Sequence, residues 1–315
     1  MKTPPTPETT ATPNHPAAES TPTPETTATP NHPTLRTLLT HRLSTLQTQD
    51  PTPRIALAGP LPPTSIPPLL TQRMCIMFQD AETAHEAVVK GEADILMKGS
   101  CRTDQVMHAV VVRPRPLVLS GHTLHHLALV SNPFPCAGKG TPLLITDPAI
   151  LPQPGLEEMR NQVRNAAKIL RQLGLQPRIA LLHCSEKTDE RHFPYTGYYA
   201  QLKEEFSEDI IIDGPLDFQT ALDAAAAEHK GIVSPLHTPS KDGRPTGANA
   251  FICPEITSAN LLYKTCIMLG SETANVLCGT KVPVVISSRN DTPQSKELSL
   301  MMAMIQYYDS TFISE

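Results

Sequence analysis

Near the end of the chain, Ser288-Arg289-Asn290-Asp291 puts a hydroxyl, a guanidinium and a carboxylate within four residues, between an apolar strand pattern and a helix pattern. The guanidinium is a fixed fork of donors matched to phosphate oxygens. The Ser288 hydroxyl can donate to a carbonyl or phosphate oxygen, and Asp291 can accept a proton. A helix starting just afterwards would add unpaired backbone N–H groups that favour an anion. The same residue types also open ordinary helices, since Ser and Asp are common caps. On spacing alone both readings stand.

Other strand ends carry comparable groups. Lys98-Gly99 closes the run "ADILMKG", and Asp213-Gly214 closes "IIDG" ahead of Pro215. Asp217 reads as the N-cap of the next helix. "CPEITSANLLYK" brings Glu255, Asn260 and Lys264 to the start of another helix, where Asn260 could serve as a cap and Lys264 as a solvated side chain. No metal site is predicted: "GHTLHH" clusters His122, His125 and His126 without a carboxylate or Cys at ligand spacing. The glycines form neither G-x-G-x-x-G nor a Walker loop, so dinucleotide and NTP fingerprints are absent.

The elements that must position these corners alternate. Arg54–Gly59 reads as a buried strand, followed by a Pro-rich break, a helix ending at Gly91 and a strand Ala93–Met97. A strand is also predicted at Leu117–Ser120, and an apolar run near Leu127–Val130 leads to "PLLITD" at Pro142–Asp147. The clearest helix follows Pro154, with Leu156, Met159, Val163, Ala166, Ala167, Leu170 and Leu173 on one apolar stripe and Gly174 as its stop. Arg178–Ser185 is a strand with an almost continuous apolar run. Helix Tyr195–Phe206, strand Ile210–Asp213, helix Phe218–His229, strand Ala250–Cys253, helix Asn260–Gly270, a segment Ala274–Cys278, strand Val282–Ser287 and helix Ser295–Tyr308 complete the pattern. This alternation predicts parallel α/β sheets, whose ligands bind beyond the carboxyl ends of the strands.

Composition narrows the function. The formal charge of −5 argues against a general nucleic-acid binder. No apolar run is long enough for a membrane span and the N-terminus has no secretory apolar region, so a cytoplasmic protein is expected. The seven cysteines have no C-x-x-C spacing and are expected to be free. Residues 1–34 hold "PTPETTATPNHP" twice, at Pro5–Pro16 and Pro22–Pro33. So few apolar side chains cannot offset the entropy of ordering, which predicts a disordered Pro/Thr-rich tail.

In order along the chain, "EAVVKGEADILMKG", "IIDGPLDFQTALD", "PEITSANLLYK" and "GTKVPVVISSRNDTPQSKELSL" resemble the signature blocks of the phosphate acetyl/butyryltransferases, in particular the short butyryltransferase branch. The resemblance runs from about Ala81 to Ile305. It implies an isopropylmalate-dehydrogenase-like fold: two parallel-sheet α/β domains with a cleft between them, here 35–135 plus 277–315 and 136–276. It implies transfer of a short acyl group between coenzyme A and inorganic phosphate, by a homodimer, with acyl-CoA, CoA and phosphate as partners and no bound cofactor. The catalytic set would be Ser288, Arg289 and Asp291. Arg289 would hold phosphate, Ser288 the leaving group or oxyanion, and Asp291 would take the thiol proton. Lys98, Gly99, Asp213, Gly214, Glu255, Asn260 and Lys264 would bind substrate.

This chain departs from the acetyltransferase branch at three places. Ser295 stands where that branch has its proposed basic aspartate, Met268 stands where it has an Arg, and Ala259 replaces a turn Gly. Ala at a position requiring positive φ would strain the turn. The alternative to catalysis is a non-catalytic relative that binds CoA or an acyl phosphate as a regulatory protein. A dehydrogenase or decarboxylase of the same fold would need a metal-binding set of Asp residues, and the sequence offers none.

Overall fold

The computed structural model describes residues 34–46, 52–71, 75–112, 117–208, 210–239, 247–288 and 291–309. The duplicated tail, apart from Thr34, lies outside the described residues, as does Arg289. The elements run α1 (Leu35–Leu46), β1 (Ile55–Ala58), α2 (Pro68–Thr71), β2 (Cys75–Phe78), α3 (Ala81–Val89), β3 (Ile95–Lys98) and α4 (Thr103–Val111). Then come β4 (His125–Ser131), β5 (Pro142–Thr146), α5 (Leu156–Gln172), β6 (Arg178–Leu182), α6 (Thr196–Phe206) and β7 (Ile211–Leu216). The last group is α7 (Phe218–Leu222), α8 (Ala224–His229), β8 (Ala250–Ile252), α9 (Ile256–Met268), β9 (Thr273–Cys278), β10 (Val284–Val285) and α10 (Pro293–Tyr308).

All ten strands join one sheet, in the order β2-β1-β3-β10-β9-β4-β5-β8-β6-β7, so strands from both predicted domains are hydrogen-bonded across the middle. Both wings are parallel, as the apolar runs predicted. The centre is not: β10/β9, β9/β4 and β4/β5 are antiparallel. Strand direction leaves no mark on an apolar run, so the seam could not be read from the sequence. Its consequence is that β1, β2, β3 and β10 run one way while β5, β6, β7 and β8 run the other.

Side-chain alternation sorts the core into layers. Ile55, Leu57, Leu127 and Leu129 face one continuous core shared with α1, α5, α6 and α10. Ala56 and Ala58 face a second cluster with α3 and α4, while Ala128 and Val130 face a third with α7 and α9. One face of the sheet is thus sealed and the other carries two separate cores. Helix α10 is buried nearly all round, with Leu298, Leu300, Met302, Ala303, Met304 and Ile305 inside the protein.

Several local expectations change. Cys75–Phe78, unassigned after the Pro-rich break, is the edge strand β2. Leu117–Ser120 makes no strand, only the isolated bridge of Val118 to Thr280. The helix predicted over Phe218–His229 breaks at Asp223, whose carboxylate accepts from Ala225 N–H and caps α8. Asp217 does cap α7, accepting from Thr220 N–H at 2.7 Å. Helix α9 starts before Asn260, because Glu255 is the cap and accepts from Thr257 and Ser258 N–H, both at 2.6 Å. Ala259 therefore sits inside a helix, buried, and among the described residues no non-glycine has positive φ. The strain that a glycine-requiring turn would impose does not arise.

Candidate active site

The corner after β10 is built by three elements. Strand β3 ends in Lys98, whose side chain is 1% exposed and whose Nζ donates to the Gly99 carbonyl at 3.3 Å. The Ser287 hydroxyl donates to the Lys98 carbonyl at 3.4 Å and joins the two strand ends. Gly99 approaches the turn at Gly59 so closely that a Cβ would lie 1.9 Å from the Gly59 carbonyl oxygen. No other residue fits there, and the reason is packing of the backbone.

Past β10 the chain turns through Ser288, which is exposed, and returns at Asp291. Ser288 N–H donates to Asp291 Oδ2 at 2.7 Å, and Asp291 N–H donates to the Ser288 carbonyl at 3.2 Å. Thr292 then caps α10 by accepting from Ser295 N–H at 3.1 Å, with Pro293 in the first turn. Alternation along β3 and β10 points Lys98 and Ser288 toward the face that carries two cores. Lys264 comes from α9, the helix of the other core on that face.

Burial raises the Asp291 carboxyl above the ordinary carboxylate value. The Ser288 N–H and the charges of Lys264, Lys296 and Lys98 pull it partly back. The positive charges of Lys264, Lys296 and Lys98 thus act on this carboxylate at a helix N-terminus. A phosphate group, which is dianionic or nearly so near neutral pH, complements that field.

Lys296 was not among the sequence candidates. It is 3% exposed, and its Nζ donates to the Asp291 carbonyl at 2.7 Å. The signal was present in "SKELSLMMAMI": a lysine and a glutamate open a helix that is otherwise apolar, and Glu297 is spent on Arg36 and Leu69 N–H. A second tier ties α9 and α10 to β9. Asn275 Nδ2 donates to the Tyr263 hydroxyl at 2.9 Å, and Asn275 N–H donates to Ser299 Oγ at 2.9 Å. The Ser295 hydroxyl pairs with Thr273 and Thr292, so it is occupied in holding the helix start.

The remaining candidates lie elsewhere. Asp213 and Gly214 are on the edge strand β7, with five strands between it and β10, a span of about 29 Å at ~4.8 Å per strand. The Asp213 carboxylate takes Lys203 and Gly214 N–H. A Cβ on Gly214 would meet the Leu181 carbonyl oxygen at 2.5 Å, so this glycine also serves strand packing. Glu255 is pushed up by burial, but the donors at Thr257 and Ser258 outweigh that and leave it lowered, as suits a helix cap. Asn260 Nδ2 donates to the Pro148 carbonyl at 2.8 Å and fastens the loop after β5. Among the candidates with described side chains, Lys98, Ser288, Asp291 and Lys264 share one corner, while Asp213, Glu255 and Asn260 have structural partners.

Comparison with known proteins shows the family. The sequence model of the phosphate acetyl/butaryl transferase family matches residues 71–304. The chain belongs to this family of acyltransferases. It is 31% identical over 238 residues to a phosphate acetyltransferase of Thermotoga maritima, covering 73% of this chain and 76% of that protein. It is 30% identical over 229 residues to a phosphate butyryltransferase of Clostridium acetobutylicum, covering 70% of this chain and 71% of that one. The crystal structure of a branched-chain phosphotransacylase from Enterococcus faecalis superimposes with a TM-score of 0.64 at 26% identity, covering 88% of this chain and 95% of that one. Among the described residues no helix is long and apolar enough to cross a membrane.

Proposed function

We propose that this chain transfers a short, butyryl-type acyl group between coenzyme A and inorganic phosphate, converting acyl-CoA and phosphate to acyl phosphate and CoA. The observation that carries this reading is the corner at the start of α10, where Asp291 accepts from Ser288 N–H and from Lys296 Nζ beside the buried strand end at Lys98. Near-complete mutual coverage with the branched-chain phosphotransacylase supports the butyryl-type branch over the acetyl-type one.

In the direction that forms acyl-CoA, the CoA thiol must lose its proton, because a thiol of pKa ~8.5 is only slightly ionised at neutral pH and the thiolate is the nucleophile. Asp291 takes that proton, and burial makes it a stronger base than an exposed carboxylate. The thiolate attacks the acyl carbonyl, and Ser288, exposed at the strand end, donates to the oxyanion or the departing phosphate. Arg289 holds the phosphate, as the family resemblance implies, and the lysines add positive charge at this end of α10. The substrate cleft lies between segments 35–135 plus 277–315 and 136–276, opening where the two cores on one face part.

We further propose a cytoplasmic homodimer. The seven free cysteines accord with a reducing compartment. Leu261, Met268 and Leu269 on and just after α9 are more than half exposed, and pairing of two copies would remove them from water.

The test is acyl phosphate formation from acetyl-, propionyl-, butyryl- and isobutyryl-CoA by the purified chain. Turnover with a four-carbon acyl group supports the reading, and absence of turnover with all four removes it. Met268 and Ser295 favour one rival, a CoA-binding regulatory protein, since Met268 lies open to solvent and Ser295 is engaged structurally. Thermal stabilisation by CoA without turnover would select that rival.

A further inference from the structure

Strand register places one polar side chain at the middle of the open face. Lys98 follows Met97, which pairs with Val285, so it stands level with Ile286. Val284 pairs with Leu277 in the antiparallel sense, which sets Asn275 level with Ile286 on the other side of β10. Ala128 pairs with Asn275 and ends the row. Ile286 belongs to the core with α3 and α4, and Ala128 to the core with α7 and α9. Asn275 therefore stands where the two cores part, about 10 Å from Lys98 across two strand spacings.

Asn275 is 2% exposed and is bonded on both sides of the sheet. Its backbone N–H donates to Ser299 Oγ at 2.9 Å, and the Ser299 hydroxyl donates to the Ser295 carbonyl at 2.8 Å, in the first turns of α10. Its Nδ2 donates to the Tyr263 hydroxyl of α9 at 2.9 Å. Helix α10 packs on the sealed face and α9 on the open one, so this residue joins the helix that follows Asp291 to the helix that carries Lys264. The amide presents its donor to Tyr263 and leaves its acceptor, Oδ1, unbonded.

The Tyr263 ring is the other half of the link. A lysine on an exposed helix surface has many rotamers. Lys264 is exposed, and its Nζ lies 5.3 Å from the centre of the Tyr263 ring, within range of cation–π attraction. The Lys264 charge acts on Asp291, and the Asp291 charge acts on the Tyr263 phenol. A ring pinned at its hydroxyl keeps one place, and an ammonium resting on it keeps that place too. We infer that Asn275 is a positioning residue: through the Tyr263 hydroxyl it fixes the ring on which Lys264 rests, and so sets where that ammonium meets the phosphate. That role rests on the acyl-transfer reading, in which Lys264 adds positive charge at this corner.

Steady-state formation of butyryl phosphate from butyryl-CoA by the full chain, with phosphate varied, tests it. Asn275→Leu and Tyr263→Phe should each raise the KM for phosphate about three- to fivefold, the size of one exposed ionic contact, with kcat within about twofold. Each is then combined with Lys264→Met. With the ammonium gone, the same replacements should change KM by less than about 1.5-fold, since they act through it. An equal rise in both backgrounds means a merely structural role and overturns the proposal, as does an unchanged KM in either folded variant. Tyr263→Phe keeps the ring and removes a single oxygen, so it decides the matter if Asn275→Leu does not fold. If the wild type shows no turnover, the acyl-transfer reading fails separately, and the same comparison is read from the Kd of inorganic phosphate by calorimetry. Effects on Kd that vanish in Lys264→Met support the role of Asn275. Additive effects, or no phosphate binding, overturn it.

Discussion

The two ends of α10 solve different problems with buried polar groups. At the N-terminal end the polar groups are bonded: Asp291 accepts from Ser288 N–H and Lys296 Nζ, and the side chains of Ser295 and Ser299 are bonded to neighbours. At the C-terminal end Gln306 and Gln172 are buried as deeply, yet both amide atoms of Gln172 and the Oε1 of Gln306 lack partners. A satisfied network fixes geometry in advance, which suits chemistry, where a small misplacement is expensive. An unsatisfied set instead carries a cost of about 1–3 kcal/mol for each orphan atom. Burial alone therefore does not mark a site.

Asp291→Asn should break the first end most severely. Loss of a general base typically lowers turnover by about 10²–10⁴-fold. A fall of less than threefold, measured as the rate of acyl-CoA formation from acyl phosphate, would remove Asp291 from that role. Gly99→Ala attacks the same end through its backbone. With a Cβ 1.9 Å from the Gly59 carbonyl oxygen, β3 and the loop after β1 must part. We expect a loss of about 3 kcal/mol or more in denaturant unfolding, typical of forced overpacking at its upper end.

Acid should act between the two ends, on the seam. Burial lowers both His125 and His126 from 6.5 to about 4. Their folded pKa lies below the unfolded one, so stability is full above pH 6.5 and falls as pH drops toward 4, by about 3 kcal/mol for each histidine. Asp147 and Asp291 are shifted upward by burial and partly offset the loss near the lower limit. Melting temperature followed over this range should decline, and His126→Phe should flatten the curve; a flat wild-type curve contradicts the buried neutral histidines.

Lys296→Met should be milder. Removing one of three ammonium groups should raise the KM for phosphate about tenfold, or 1.4 kcal/mol, and make it less sensitive to salt. An unchanged KM would make Lys296 a purely structural residue. The smallest effect belongs to the far end. Gln172→Leu should leave acyl transfer within twofold in a direct rate assay, and a larger drop would show that the two ends of α10 communicate.

Much of this was legible in the sequence because it depends on periodicity. The stripe of α5 was readable from Met159, Val163 and Leu170, and the parallel wings from their apolar runs. The Asp217 cap needed only its position before a helix. What depends on strand direction was hidden. Beyond-the-strand corners were expected to converge, yet the antiparallel seam reverses one wing, and Asp213 ends on an edge strand far from Ser288. Lys296 was hidden for a different reason: a lysine early in a helix reads as solvated, and only the packing of α10 against α1, α2 and β9 buries it. The unpartnered glutamines could not have been read at all, since burial without a partner is a property of three-dimensional surroundings.

The continuous sheet also sets the order of assembly during synthesis. The Lys98 carbonyl receives the Ser287 hydroxyl across 189 residues of chain. At a ribosomal pace of ~5–20 residues per second, β3 emerges about 10–40 s before the strand that covers its side. Through that interval its Ile-Leu-Met edge stands open, the kind of surface on which nascent chains adhere to one another. The last elements made are thus the clasp for the first, and a ribosome that stalls before Val284 would release a sheet with its middle unfastened.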